Sequence, residues 1–465
     1  MLKVKSAIRF LIVAFAFGLT CAAFAADSYT ITKDQRDIEA LGEQLLATPQ
    51  MKAQWDATYK AWSAHPYAAT ETGRRRLISA VNEILFFGAS AAANSDPRRP
   101  KVLWTHAPPI EYYGYKKRGN RLNIDNPDNL YIYIPIEGAS KYEITVRNRA
   151  PGPTAATFFV WDAFISEDSP QLKKELKDDR HFWDTPIAGI RINDIKKDAD
   201  GSFKIIVDNQ PANGRANHLR SNDDARCIFI RESLTDWAKQ NPYQISVKRI
   251  SGPPVGKPRS INELADKAVR IVNGGMALDA WYGKVMANDR PNVVEKPWIR
   301  STGAATDLAN RWGFNAQGYF KLAHDEALLF TVDPVGSDYL GVLVTDPWQV
   351  SIDPVHSNSS LNNAQAEHNA DGTISYVVAA DDPGIKNWLD TAGLSEGYLT
   401  LRWIGIPTTV PNETAQAAVR SMKVVKVADI PTLLPDATRV TREQRLVDYS
   451  ERRRAVAHHY GLPEK

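Results

Sequence analysis

From Thr32 to about Ala92 the apolar residues recur every three or four positions: Ile38, Leu41, Leu45 and Leu46, then Ile78, Val81, Ile84 and Leu85 after a polar break. That spacing lines one face of a helix and predicts a helical opening to the molecule. Past residue 100 the period drops to two. Leu130–Pro135, Tyr142–Arg147, Thr157–Trp161, Phe203–Val207, Cys227–Ile230 and Tyr243–Val247 alternate in the manner of strands. Short strands separated by Gly and Pro turns predict a β-sandwich or jelly roll. The run Ser251-Gly-Pro-Pro-Val-Gly-Lys-Pro258 reads as a linker, and Ser260 with Glu263 has the capping-box spacing that opens a helix expected to reach about Asn288. A second strand block covers roughly Tyr319 to Ile406, and Thr441 to Ala457 reads as a terminal amphipathic helix.

The two strand blocks share a pattern. Asp200-Gly201, Asn217, and Ile228-Phe229-Ile230-Arg231 in the first correspond to Asp371-Gly372, Asn387, and Leu399-Thr400-Leu401-Arg402 in the second. The Asp-to-Asn intervals are 17 and 16 residues, and the Asn-to-Arg intervals 14 and 15. Matched features in one order at near-equal spacing mark an internal duplication. The expected fold class is therefore mainly β with helical additions. Its parts are a signal peptide at 1–25, a helical segment at 26–95, a first β-sandwich at 100–250 and a linker with a long helix at 251–315. A second β-sandwich follows at 316–407, then a connecting stretch with a C-terminal helix at 408–465.

Targeting changes this picture only at its start. A basic stretch, the apolar run Phe10–Leu19 and a small-residue site at Ala23-Phe24-Ala25 predict a secretory leader and a mature protein beginning at Ala26, periplasmic or secreted. Cys21 is preceded by Gly18-Leu19-Thr20, a poor lipobox. No later segment reads as a membrane span. The chain has 57 basic and 54 acidic residues. Losing Lys3, Lys5 and Arg9 with the leader would balance them, which removes the electrostatic footprint of a nucleic-acid binder. One cysteine would remain, Cys227, inside an apolar run that reads as core.

The repeated residues are the candidate chemistry. Asp200 and Asp371 read as turn formers, since Asp-Gly supplies the positive φ of a tight turn. Arg231 and Arg402 carry two readings: ordering their own loops through backbone carbonyls, or meeting an anionic ligand. His218 stands where the second copy has Trp388, and Trp388 reads equally as a binding platform or as a plug over the end of the sandwich. His356 and His368 lack the spacing of a metal pair, so no metal is expected, and no P-loop or dinucleotide fingerprint predicts a cofactor.

The segment from Asp371-Gly372-Thr373 through Asp382-Pro383-Gly384, Asn387-Trp388-Leu389 and Leu399–Gly405 resembles the C-terminal signature of the bacterial family catalogued as domain of unknown function 1214. Asn126–Tyr131 to Asp236-Trp237 resembles the region preceding it in longer, secreted-type relatives. The sequence departs from that pattern at Asp390, where relatives have proline. The resemblance implies a β-sandwich or jelly roll and no reaction.

Two function classes remain. One is a binder of a small sugar, aromatic or lipid-like ligand in a β-sandwich groove. Its tentative site is Asn387, Trp388, Arg402, Trp348 and His356, among loop aromatics that include Trp104, Tyr112, Tyr113 and Trp298. The alternative is a hydrolase or lyase acting on a glycan or related substrate through Asp346, His356, His368 and Asp381. Convergence of those carboxylates and histidines in one pocket would separate the two.

Overall fold

The computed structural model describes residues 29–112, 115–164, 166–177, 186–286, 290–294, 313–407 and 409–462. The leader with Cys21 and Ala26, and also Tyr113 and Trp298, lie outside the described residues.

Three helices open the chain: α1 (Lys33–Leu46), α2 (Pro49–Ser63) and α3 (Glu71–Ala93). Thr32, Thr48 and Thr70 cap them, each hydroxyl accepting an N–H of the first turn. Among the described residues three short α-helices, α4 (Pro170–Lys177), Asn412–Gln416 and Ile430–Leu433, are absent from the sequence reading and do not alter it. α3 corrects one expectation, because it is long and apolar enough to cross a membrane. Most of that apolar surface is buried inside the protein, against α1, α2 and the later helix α5 (Ile261–Met286), which explains its composition.

The first sandwich pairs a sheet ordered β1 (Leu103–Thr105), β4 (Asn129–Pro135), β10 (Cys227–Ser233), β6 (Ala155–Trp161), β7 (Ala188–Arg191) with one ordered β11 (Gln244–Ser251), β5 (Lys141–Arg147), β8 (Phe203–Asp208), β9 (His218–Arg220). A small hairpin, β2 (Ile110–Tyr112) and β3 (Tyr115–Lys117), stands apart. The linker leads to α5 (Ile261–Met286), opened by the expected capping box: Ser260 N–H donates to Glu263, and Glu263 N–H to the Ser260 hydroxyl.

The second sandwich repeats the first strand for strand, except that β1 has no counterpart among the described residues. One sheet runs β12 (Gly313–Lys321), β18 (Glu396–Ile404), β14 (Tyr339–Thr345), β15 (Ser360–Asn362). The other runs β19 (Val419–Lys426), β13 (Glu326–Val332), β16 (Ile374–Ala379), β17 (Trp388–Asp390). Even the unusual parallel pair recurs, β8 with β9 and β16 with β17. The expected boundary at residue 407 falls short, because β19 closes this domain at Lys426. Its half-exposed, Lys- and Arg-bearing edge hides the apolar alternation that marks the other strands.

The repeated Asp and Asn residues account for local structure. Asp200 and Asp371 accept the N–H two residues on, at 2.9 and 3.0 Å, while Gly201 and Gly372 take φ of 81° and 83°. Asn217 brackets Lys196, its amide oxygen accepting that residue's N–H and its amide nitrogen donating to that residue's carbonyl. Asn387 does the same to Glu367, at 2.8 and 2.7 Å. Cys227 is buried, its thiol against the Ala163 carbonyl.

Buried polar contacts weld the copies. Asp128, on the loop before β4, accepts bonds from Tyr339 (2.8 Å), Trp237 (2.9 Å) and Asn362 (3.0 Å). Gly341 makes room for that Tyr339 hydroxyl, since a Cβ there would meet it at 1.8 Å. Arg121 pairs with Glu83 of α3 and also donates to the Ser351 carbonyl in the second copy. The C-terminal helix Arg442–His459 lies across both copies: His459 meets the Pro127 carbonyl, Arg452 stacks on Trp237, and Arg445 binds Asp382.

Candidate ligand site between the two sandwiches

Side chains alternate across a strand, so each sandwich has an inner core and an outward face. Ile228 and Ile230 fill the first core, whereas Phe229 belongs to the cluster under α3 and α5. Leu399, Leu401 and Trp403 fill the second core. Arg231 and Arg402 therefore both point outward, and the two outward faces meet. Ala155 packs on Tyr339 and Ile404. By strand register Ala155 and Tyr339 are equivalent positions, so like residues touch, the mark of a pseudo-two-fold pairing.

The register aligns nine outward positions on three matched strands of each copy. β10 carries Cys227, Phe229 and Arg231 where β18 carries Tyr398, Thr400 and Arg402. β4 carries Tyr131, Tyr133 and Pro135 where β12 carries Asn315, Gln317 and Tyr319. β6 carries Thr157, Phe159 and Trp161 where β14 carries Gly341, Leu343 and Thr345. Only the arginine is the same in both.

The two guanidiniums lie within each other's field. Burial, and then the Arg402 charge, pulls Arg231 down to about 10. Arg231 also lies over the Tyr131 and Phe229 rings at 5.4 and 5.3 Å. Arg402 donates through Nε to Asn315 at 2.9 Å, while its Nη1 is buried and has no hydrogen-bond partner among the described residues. His106, with φ of 57°, packs on Tyr131 at 4.7 Å. Burial and the Arg231 charge pull its imidazole to about 3, so it is neutral at physiological pH. Although deeply enclosed, His106 and Arg231 keep part of their accessible surface, as do Arg402, Asn315, Gln317 and Tyr319. These side chains stand along the seam where the two faces meet, enclosed yet not fully closed off from solvent.

The far end of this seam is tyrosine-rich. Tyr67, on the 3-10 turn Pro66–Ala69, stacks on Tyr319 at 5.6 Å, and its hydroxyl meets that of Tyr398 at 2.6 Å. Tyr282 of α5 packs there too. Asp279 of α5 accepts from the Asn123 amide, and burial holds its carboxyl well above the usual range.

The residues singled out in the sequence do not form one site. Trp388 is only 5% exposed, donates its indole N–H to the Ala379 carbonyl at 3.0 Å and sits under Arg445 at 5.1 Å. It plugs the sheet opposite the one that carries Arg402, so the two cannot border one ligand. Asn387 lines an open cleft of about 560 Å³ with His368 and Asp371, but its amide is spent on the Glu367 and Ser375 backbone. Trp348 is buried, stacked on Trp62 and bonded to the Gly73 carbonyl; it backs Tyr67 at 5.9 Å. His356 is exposed beside Asp353 at a separate cleft of about 330 Å³. His218 pairs with Asp208. Asp346 is buried against Arg76, Asp381 is exposed with His324, and His368 bonds the Asn363 carbonyl, so the suspected acid-base groups do not converge.

Sequence reasoning placed Arg231 among supporting positions and passed over His106, Asn315, Gln317 and Tyr67. The available signal was the outward face compared position by position, where the arginine alone persists.

No protein-family model matches the chain, and no curated protein matches it. Among solved structures, it is similar to an uncharacterised protein from Burkholderia cenocepacia, with 23% identity and a TM-score of 0.64 over 83% of this chain and 99% of that one. A Vibrio parahaemolyticus protein aligns over 65% of this chain and 90% of that one, with 12% identity and a TM-score of 0.39. The Burkholderia likeness shows that the fold, over 83% of this chain, is one already seen in another protein.

Proposed function

We propose that the protein binds a small organic anion in the enclosed space between its two sandwiches, with Arg402 and Arg231 supplying the charge. The observation that carries this reading is the retention of arginine alone among nine outward positions, with both copies turned toward one another. Guanidiniums brought onto facing sheets offer positive charge to one ligand that can meet both. Planar guanidiniums suit a carboxylate or phosphate, each charge-assisted bond contributing about 1.5 to 3 kcal/mol. The leader-like first 25 residues support an exported setting, and the likeness to the domain of unknown function 1214 family belongs to the same reading.

The test is calorimetric titration of carboxylates, phosphate and sulfate into the wild type, Arg402→Ala and Arg231→Ala. At least one anion should bind saturably and weaken about tenfold or more in Arg402→Ala. Trp388→Phe is the control and should bind as the wild type does. Binding that ignores both arginines, or no binding by any anion, refutes the reading.

A further inference from the structure

Three distant parts of the chain meet around the cleft of about 330 Å³ that His356 borders. The hairpin of β2 and β3 forms one wall, the loop between β14 and β15 a second, and the C-terminal helix with its exit a third. The floor is apolar. Ile110, Val456, Tyr460 and Leu462 belong to one hydrophobic cluster, and Val355 and Ala457 pack on it while staying half-buried, so hydrocarbon reaches the open side of the cleft. At about 30 Å³ for each water-sized group, the space admits a chain of about ten heavy atoms. That is the small end of the range for sites that take organic molecules.

The rim is charged, and its charges are unequally committed. Glu111 faces Lys116 across the hairpin at 3.5 Å. Asp353 meets His356 at 2.6 Å and accepts the Val355 N–H at 2.8 Å. Lys117 is buried against Glu39 at 3.6 Å. Arg453 differs: it is exposed at the cleft, and among the described residues no hydrogen bond or ion pair engages its side chain. An apolar floor under one uncommitted guanidinium suits a molecule with a hydrocarbon body and a single negative end. A carboxylate matches the guanidinium's paired donors, whereas a cationic head would meet a like charge.

We propose that this cleft is a second binding site, sharing no residue with the seam between the sandwiches, for a medium-chain carboxylate whose alkyl chain lies on the floor and whose acid group meets Arg453. The probes are octanoate, butanoate as a shorter acid, octanol as the chain without its charge, and octyltrimethylammonium as the chain with the opposite charge. In calorimetric titration of the wild type, octanoate should bind saturably and about tenfold or more tighter than butanoate, since each methylene removed from water adds to the affinity. Octanol should bind about tenfold more weakly than octanoate, and octyltrimethylammonium more weakly still. Arg453→Gln should weaken octanoate about tenfold and leave octanol unchanged, while Val355→Asp should weaken both about fivefold or more. Arg453 is exposed and Val355 half-buried, so both variants should keep the wild-type melting temperature. If the seam also takes octanoate, Arg402→Ala removes that contribution and leaves the one that depends on Arg453. Octanoate that does not bind, that binds no better than butanoate, or that binds Arg453→Gln as it binds the wild type refutes the proposal.

Discussion

The two sandwiches share one backbone plan and differ on the face they turn toward each other. In the first, Tyr131, Tyr133, Phe159, Trp161 and Phe229 form a greasy bed under α3 and α5. In the second, the same positions hold Asn315, Gln317, Leu343, Thr345 and Thr400. One face anchors the helices, and the other is free to be polar because its partner supplies the apolar contact. The lesson is that a duplicated domain can divide labour: burial stabilises through one copy while the other carries buried polar groups that cost stability on their own.

The largest effect should come from breaking the weld that brings the faces together. Asp128→Ala leaves three buried donors unpaired, and the expected loss is about 3 to 5 kcal/mol in denaturant unfolding. The single transition should also split as the copies uncouple; one sharp transition at wild-type midpoint would refute the role. Next comes the pair Trp388 and His218, which occupy equivalent register positions. Trp388→Ala should cost about 3 kcal/mol or more and spare ligand binding, whereas His218→Ala should cost about 1 kcal/mol. Equal losses would mean that the copies use this position alike. The asparagines should differ less. Asn387→Ala removes three backbone bonds, one buried, and should cost about 2 kcal/mol; Asn217→Ala removes two exposed ones and should cost about 1 kcal/mol.

The smallest change expected at pH 5 is that of Asp125→Asn. Burial pushes the Asp125 carboxyl up to about 7, against the pull of Arg121 and helped by Glu83. Folded protein thus binds a proton that the unfolded chain releases near pH 4, so stability falls as pH rises through that window. The substitution mimics the protonated form, should cost under about 1 kcal/mol at pH 5, and should flatten the slope up to pH 7. A slope unchanged in the variant would assign it to another group.

Much of this architecture could be read from the chain because it rests on short-range chemistry. Two-residue alternation marked the strands, Ser260 and Glu263 marked the start of α5, and the Asp-Gly turns with their spaced Asn and Arg revealed the duplication. β19 escaped because an edge strand trades apolar alternation for charge. The site was harder. Loop tryptophans attract suspicion, yet Trp388 fills a local gap, and nothing in a single sequence says which outward face meets which. Arg231 and Arg402 lie 171 positions apart in the chain, and only long-range packing makes them neighbours.

The C-terminal helix has a consequence for how the molecule is made. Its contacts join His459 to Pro127, 332 residues away, and Thr30 reaches the Tyr460 carbonyl across 430. Contacts so distant in sequence form late, because loop closure must precede them. A chain emerging from its amino end can complete α1 to α3 and then each sandwich from nearer contacts, and add the clasp across both copies only when residues 442–462 arrive. Until that clasp settles, the outward faces that carry Arg231 and Arg402 stay more open to solvent, and the unfinished chain shows surface that the finished molecule covers.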